Sequence, residues 1–269
     1  MLLLFCFEQG LAVAGAQRET WGRRAEAISL NGIGLVRLQR GELDRSLSCL
    51  QRALAVRREV APGSPGEAAA LGNIGFIYLA RKDDRTALAY FEQTLGIYQA
   101  AKKTSQGAAV AVNNLGAAHK ARGELDLAMS CFEQALAGLE EVAPRSQAAV
   151  RVSCNIGEVW LARGDTGRAL SFCQRGLDIA QARAPRSAET ANALNQLGLV
   201  HLGNGNVEGA VGLFGQALMV AEAIDPRNPQ VVKALDNIAA AHQARGETEV
   251  AETYSQRARE VEESQGPAT

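Results

Sequence analysis

Three histidines and five cysteines have the first claim on catalysis or metal binding in this chain. An imidazole can hold a metal or move a proton near neutral pH, and a thiolate can attack carbon or ligate zinc. The histidines are His119, His201 and His242. Each follows, by three residues, a small residue that recurs along the chain, and they share that column with Arg37, Tyr78 and Trp160. Side chains one repeat apart belong to successive units and need not converge on one ion. The shared register makes a repeated structural position the simpler reading of this column. The cysteines are Cys6, Cys49, Cys131, Cys154 and Cys173, an odd number with no CxxC pair. That argues against a disulfide framework and a zinc site, and it fits a reducing, cytoplasmic compartment. Cys6, Cys49 and Cys131 share one column, beside the column of Leu50, Phe91, Phe132, Cys173 and Phe214, and read as packing residues. Cys154 lies beside Asn155 and is expected to face a groove. Gly203-x-Gly205-x-x-x-Gly209 has the wrong spacing for a dinucleotide loop and follows no strand. No Ser/His/Asp set or carboxylate pair stands out, so the chain reads as a non-enzyme without metal or cofactor.

A different chemistry is written in amides. Asn73, Asn114, Asn155, Gln196 and Asn237 each stand two residues before the recurring small residue, with Gly32 the exception. Asparagine is a poor helix-interior residue, so five amides in register require an explanation. An amide side chain donates and accepts at once, which suits a peptide bond. Asn113, Asn195 and Asp236 stand one residue earlier. Arg151, Asn192 and Lys233 lie one turn toward the N-terminus, and Glu158, Lys120 and Gln243 lie further along the same segments. Two uses compete for these groups: binding a partner, or bridging adjacent helices within the chain.

The elements that must carry these residues follow from the period. Gly34, Gly75, Gly116, Gly157, Gly198 and Ala239 are spaced by 41 residues, each preceded by Ile or Leu. Seven residues later come Gly41, Lys82, Gly123, Gly164, Gly205 and Gly246, where a helix is expected to stop in a left-handed cap. Glu42, Asp83, Glu124, Asp165, Asn206 and Glu247 then open a second helix, complementing its dipole. The column Ser46, Ala87, Ala128, Ala169, Ala210 and Ala251 marks the close contact of the two helices. Leu54, Leu95, Leu136, Leu177, Leu218 and Arg259 follow on the second helix. Arg40, Arg81, Arg122, Arg163 and Arg245 sit at the end of the first helix, where cations are favourable. Loops such as Ala143-Pro144-Arg145-Ser146, Ala184-Pro185-Arg186-Ser187 and Asp225-Pro226-Arg227-Asn228 join the units, their Ser or Asn placed to cap the next helix. Each unit is therefore helix A, a short turn and helix B.

With its Leu/Ile-Gly pair, aromatic or His three residues on, turn glycine, alanine and Phe-Glu-Gln-x-Leu helix, the chain resembles the tetratricopeptide repeat. The resemblance spans nearly the whole sequence. The 41-residue length and the Asn113-Asn114-Leu115-Gly116 string are similar to the repeats of kinesin light chains and, more loosely, to bacterial arrays attached to caspase-like CHAT proteases. It implies an all-α fold: a right-handed superhelical solenoid of antiparallel helix pairs. The expected boundaries are 26–66, 67–107, 108–148, 149–189, 190–230 and 231–265 within a single array over 1–269, with a frayed tail at 266–269. It further implies that the amide column lines a concave groove and binds the backbone of an extended peptide. The groove residues would be Asn73, Asn113, Asn114, Arg151, Asn155, Glu158, Asn192, Asn195, Gln196, Lys233, Asp236 and Asn237. Apolar spots at Leu35, Phe76, Leu161 and Leu199 would add to them.

Composition agrees. Apolar residues make up 47% and aromatics 5% of 269 residues, which suits alanine- and leucine-rich helices packed on one another. With 28 basic and 29 acidic side chains there is no basic excess of the kind nucleic-acid binders carry. No run of 18 apolar residues suggests a membrane span. The expected partner is a protein or peptide, with neither nucleic acid nor membrane. Cys6-Phe7-Glu8-Gln9-Gly10-Leu11 matches Cys131-Phe132-Glu133-Gln134-Ala135-Leu136, so residues 1–16 read as a lone helix B. A signal peptide is the rival reading, but Glu8 interrupts the apolar run and no basic segment precedes it. Leu2, Leu3, Leu4 and Phe5 would then offer an apolar face, to be covered either by an upstream repeat or by self-association. The half-repeat also raises a second reading, a regulatory sensor array of a larger signalling protein.

Overall fold

The computed structural model describes residues 2–15, 20–101 and 105–264. Among these residues the chain forms thirteen α-helices and no strand. An unpaired helix, α1 (Leu2–Gly15), comes first. Three A/B pairs follow: α2 (Thr20–Gln39) with α3 (Leu43–Val60), α4 (Pro65–Ala80) with α5 (Asp84–Ala100), and α6 (Gln106–Ala121) with α7 (Leu125–Val142). The next three are α8 (Gln147–Ala162) with α9 (Thr166–Arg183), α10 (Ala188–Gly203) with α11 (Val207–Ile224), and α12 (Pro229–Ala244) with α13 (Thr248–Ser264). The chain divides into two compact units, one reaching Gln134 and the other starting at Ala135. α1 to α6 belong to the first and α8 to α13 to the second.

Where a lone helix B is expected, residues 2–15 form the helix α1; the loop expected after it, residues 16–19, lies outside the described residues. α2 begins at Thr20, ahead of the expected start at 26, and is 20 residues long against 16 for the other A helices. The later A helices are preceded by Ser or Asn caps, most of them in proline-bearing loops; no proline precedes Pro62 to stop α2 from extending.

Every A helix ends the same way. Gly41, Gly123, Gly164, Gly205 and Gly246 have φ between +74° and +80°, and Lys82 reaches +60° without being glycine. The next N–H in each turn, from Glu42 through Glu247, donates back to the carbonyl of the ring column at 2.9–3.0 Å. This is the hydrogen bond that a left-handed C′ residue permits. In five of the six turns the residue donating it then takes one of two paths, while Glu42 pairs with Arg45 of α3. The short Asp83, Asp165 and Asn206 side chains cap helix B, accepting from the N–H of Thr86, Arg168 and Gly209. The longer Glu124 and Glu247 turn back toward the A helix. The A helices start on Ser64, Ser105, Ser146, Ser187 and Asn228, each accepting a backbone N–H in the first turn.

Within a pair, helix B drives a side chain into the small residue of helix A. A Cβ added at Gly34, Gly75, Gly116, Gly157 or Gly198 would stand 2.4–2.7 Å from Leu50, Phe91, Phe132, Cys173 or Phe214. Phe91, Phe132 and Phe214 are fully buried by this insertion. The alanine column beneath them is almost entirely inaccessible, and Ser46, its one hydroxyl, donates to the Gly34 carbonyl at 2.7 Å. Between pairs the sizes also compensate. Arg57 of α3 lies over Gly66 of α4, and Tyr98 of α5 over Gly107 of α6. Carboxylates tie neighbouring B helices in the second unit: Arg175 of α9 to Glu140 at 2.8 Å, and Arg257 of α13 to Glu222 of α11.

α11 differs from the sequence expectation on one point. Its 18 residues, at a hydropathy of 1.4, are long and apolar enough to cross a membrane by length and composition. Here it is the B helix of the fifth pair. Ala210, Phe214, Ala217, Leu218 and Ala221 are buried, while Met219 is 71% exposed. At the N-terminus, the Phe7 ring of α1 fills the space over Gly32, 2.5 Å from where a Cβ would stand. That explains why the amide column opens with glycine. The side chains of Leu2, Leu3 and Phe5 lie outside the described residues, and Leu4 is half-buried.

Candidate functional site

The A helices present the expected site residues, and their placement sorts them into seam and surface. Residues three and two before the small residue lie near the contact between consecutive A helices. In the first unit Asn73 of α4 donates its Nδ2 to Asn31 Oδ1 of α2 at 2.9 Å. In the second unit Asn237 of α12 donates to Asn195 Oδ1 of α10 at 3.3 Å, and Lys233 Nζ donates to Asn192 Oδ1 at 3.1 Å. The amides of Asn73 and Asn237 therefore bridge repeats.

Four expected groove residues are closed to a partner: Asn113, Asn114, Asn195 and Gln196 are 6%, 3%, 0% and 7% exposed. The reason is geometric. Asn114 points its Nδ2 at the side of Gly72, 3.9 Å from where a Cβ would be, so it fills the seam rather than lining a surface. Asn113 donates to Asn114 Oδ1 at 3.4 Å. Asn195 is buried so deeply that its Nδ2 meets no acceptor among the described residues. Cys154, expected to face the groove, is 2% exposed and packs against Gly176 of α9.

The remaining positions form an accessible A-helix face in each unit, and the two faces differ in chemistry. In the first unit Ile28 and Leu35 of α2 are 55% and 37% exposed. They lie seven residues apart and so share one stripe of the helix. Trp21, seven before Ile28, is 62% exposed and extends it. The same register on α4 holds the exposed Ala69 and the half-buried Phe76, whose ring meets Phe91 edge-on at 5.3 Å. On α6 it holds Val110 and Ala117, both half-buried. No charged group occupies these positions.

In the second unit the same register carries Arg151 and Glu158 on α8, Asn192 and Leu199 on α10, and Lys233 and Ala240 on α12. Asn155, Asn237 and Glu158 are half-buried; Arg151 and Asp236 are exposed. Although the Arg151 side chain as a whole is exposed, the protein packed around its guanidinium lowers the pKa by partial desolvation, with the Glu189 carboxylate opposing. The Cys173 thiol is pushed up to about 12, first by burial and then by the Glu158 charge. That thiol stays protonated and unreactive at neutral pH. A cleft of about 360 Å³ runs along α12 and is lined by Pro229, Val232, Lys233, Asp236, Asn237 and Glu262.

The histidines do more than the sequence suggested. His119 Nδ1 meets Glu124 Oε2 at 2.6 Å, and Arg122 holds the other oxygen of that carboxylate at 2.7 Å. His242, Glu247 and Arg245 repeat this at 2.5 and 3.0 Å. His201 meets Asn206 Nδ2 at 2.9 Å. His242 also stacks on Tyr254 at 5.6 Å. The repeats without histidine use Arg81 over Tyr78 and Arg163 over Trp160. The turns of the second, third, fourth and sixth pairs are thus held by a ring and a cation, joined in the third and sixth by a carboxylate; the fifth, with Asn204 in the arginine's place, relies on His201 and Asn206. The signal was present as the common string His-x-Ala-Arg-Gly-Glu at 119–124 and 242–247. Among the described residues no group of three His, Cys, Asp or Glu side chains forms a metal site.

A family profile described as tetratricopeptide repeat matches residues 25–100, 107–182 and 189–264. No curated protein matches the sequence significantly. Several solved structures are similar. BtubC (BKLC) from P. vanneervenii is 19% identical, with a TM-score of 0.67 over 84% of this chain and 92% of its own. A putative kinesin light chain with nearly identical TPR-like repeats from Podosopora anserina is 18% identical, with a TM-score of 0.57 over 76% of this chain and 99% of its own. The Rap conjugation gene regulator of plasmid pLS20, solved with the Phr* peptide, is 17% identical, with a TM-score of 0.75 over 97% of this chain and 68% of its own. At these identities the likeness is one of fold.

Proposed function

Since the chain belongs to the tetratricopeptide repeat family, we propose that it is a non-enzymatic protein-interaction module that holds a segment of another protein on its A-helix faces. The observation that carries this reading is the open apolar stripe of the first unit. Ile28 and Leu35 are 55% and 37% exposed on α2, and no charged residue stands in their register on α4 or α6. Burying one such side chain against a partner contributes roughly 1.5–3 kcal/mol. The second unit supports the reading differently, offering Arg151, Asn155, Glu158 and Asp236 to polar or backbone groups of a bound segment. A similarly folded regulator solved with its peptide makes a peptide a natural occupant of such a face. Asn73 and Asn237 bridge repeats as described above and are proposed to meet the partner as well, and Asn155 is proposed to meet it from the same column. Five cysteines with no disulfide among them fit a reducing compartment, the cytoplasm.

A displayed peptide library selected on the intact chain tests this. Enrichment of related sequences that lose binding to Ile28→Glu and Leu35→Glu, with helicity unchanged, is the expected result. A library that yields no enriched family, or one indifferent to both substitutions, would contradict it.

A further inference from the structure

The side of the sixth pair that faces away from the fifth carries its own recognition code, and the preceding repeats spell out how it is read. In the fifth pair the corresponding surface is sealed: Ala191, Asn195 and Ala221 are all inaccessible beneath α12. α12 meets it with two donors four residues apart, Lys233 to Asn192 and Asn237 to Asn195. The same register in the sixth pair is open at two of these three positions, while Val232, in the place of Ala191, is 8% exposed. Asp236 stands where Asn195 does, Glu262 where Ala221 does, and both are exposed. Between them runs the 360 Å³ cleft, floored by Pro229 and Val232 and bordered by Lys233. One column further, Glu263 stands where Glu222 and Glu140 do; those two are met by Arg257 and Arg175 of the following B helix.

We infer that this edge docks a helix of another protein carrying the pattern basic-x-x-acidic-x-x-x-basic. The inference rests on the reading of the chain as an interaction module and names the partner's chemistry at one edge of it. Each position follows from a contact already made inside the chain. The acidic residue meets Lys233 in the place that Lys233 itself takes over Asn192 one repeat earlier. The second basic residue, four later, meets Asp236 in the way Asn237 meets Asn195. The first basic residue, three before the acidic one, meets Glu262, because the residue nine after Arg57 or Tyr98 is the one that lies against it. These three partner residues share one face of a helix. Apolar side chains between them would cover Val232 and Pro229. No described helix of this chain carries the pattern, so a second copy does not supply it in this register.

The test uses the full chain and two stapled helical peptides, one Lys-x-x-Glu-x-x-x-Arg and one Glu-x-x-Lys-x-x-x-Glu, read by fluorescence anisotropy. The matched peptide should bind wild type, and its affinity should fall about tenfold or more with Asp236→Lys or Glu262→Lys, as expected for reversing a docked charge. The reversed peptide should bind the double variant better than wild type, and added salt should weaken both complexes. Circular dichroism checks that the variants remain folded. Equal binding of both peptides to wild type, no binding of the matched peptide, or indifference to both substitutions would overturn the inference. The display selection on Ile28 and Leu35 is read on the other unit, so its failure would be seen separately.

Discussion

Lys82 occupies a turn position that glycine holds in the other five repeats, at φ +60°. A left-handed backbone costs an L-residue with a Cβ roughly 1–2 kcal/mol, and glycine adopts it freely. Lys82→Gly should therefore raise stability by about 1 kcal/mol, after the extra flexibility of glycine in the unfolded chain is subtracted. Urea denaturation followed by circular dichroism would measure it, and a destabilised variant would show that Lys82 gains more elsewhere than its backbone loses. Glu124 makes a second prediction at this scale. Its carboxyl pKa is lowered, chiefly by the His119 hydrogen bond and further by the Arg122 and His119 charges. A carboxylate whose folded pKa is depressed contributes stability above its unfolded pKa and loses it as pH falls through the folded value. The wild type should therefore weaken more steeply than Glu124→Gln on acidification below about pH 4. Thermal melts of both proteins across that range would show parallel decline if the carboxylate contributed nothing.

At the scale of the helix pair, the small residue of helix A stays constant while the side chain it receives varies in size. Gly75 receives Phe91 and Gly157 receives Cys173; the one alanine of the column, Ala239, stands in register with Ser255. Gly75→Ala should destabilise the first unit by roughly 1–3 kcal/mol, the usual cost of overpacking. Combining it with Phe91→Leu should cost less than the two changes added together. A double-mutant cycle gives that coupling directly, and strict additivity would mean that the ring is not held by the glycine. The turn glycines, the alanine column and the Ser and Asn caps were legible in the sequence because a strict period repeats each local requirement at a fixed interval. The amides were legible only as a column. Their angle on the helix places them at the border of seam and surface, and a period does not say on which side Asn114 or Asn195 falls. The His119–Glu124 contact was missed because it crosses a turn at a spacing of five, outside the three- and four-residue spacing of helix faces. The match of Arg57 with Gly66 went unseen because it pairs two different columns of two different helices.

For the whole molecule, the same scaffold carries two kinds of face. The first unit offers Trp21, Ile28 and Leu35, and the second offers Arg151, Lys233 and Asp236 in a comparable setting. The core positions that build the helix pairs are nearly constant from repeat to repeat. The A-helix surface positions vary from repeat to repeat, and a partner held there as proposed would be read by them. Exposed apolar groups elsewhere provide the control. Met219 on the outer face of α11 is 71% exposed, more than Ile28 at 55%, so area alone would make it the better contact. The most direct measurement is the dissociation constant of a selected partner segment, by isothermal titration calorimetry, for wild type, Ile28→Glu and Met219→Glu. A partner held on the A-helix face should bind Ile28→Glu at least about tenfold more weakly, the loss expected when an anchor side chain is replaced by a charge, and Met219→Glu as tightly as wild type. The reverse order, or equal affinity for all three proteins, would contradict the account.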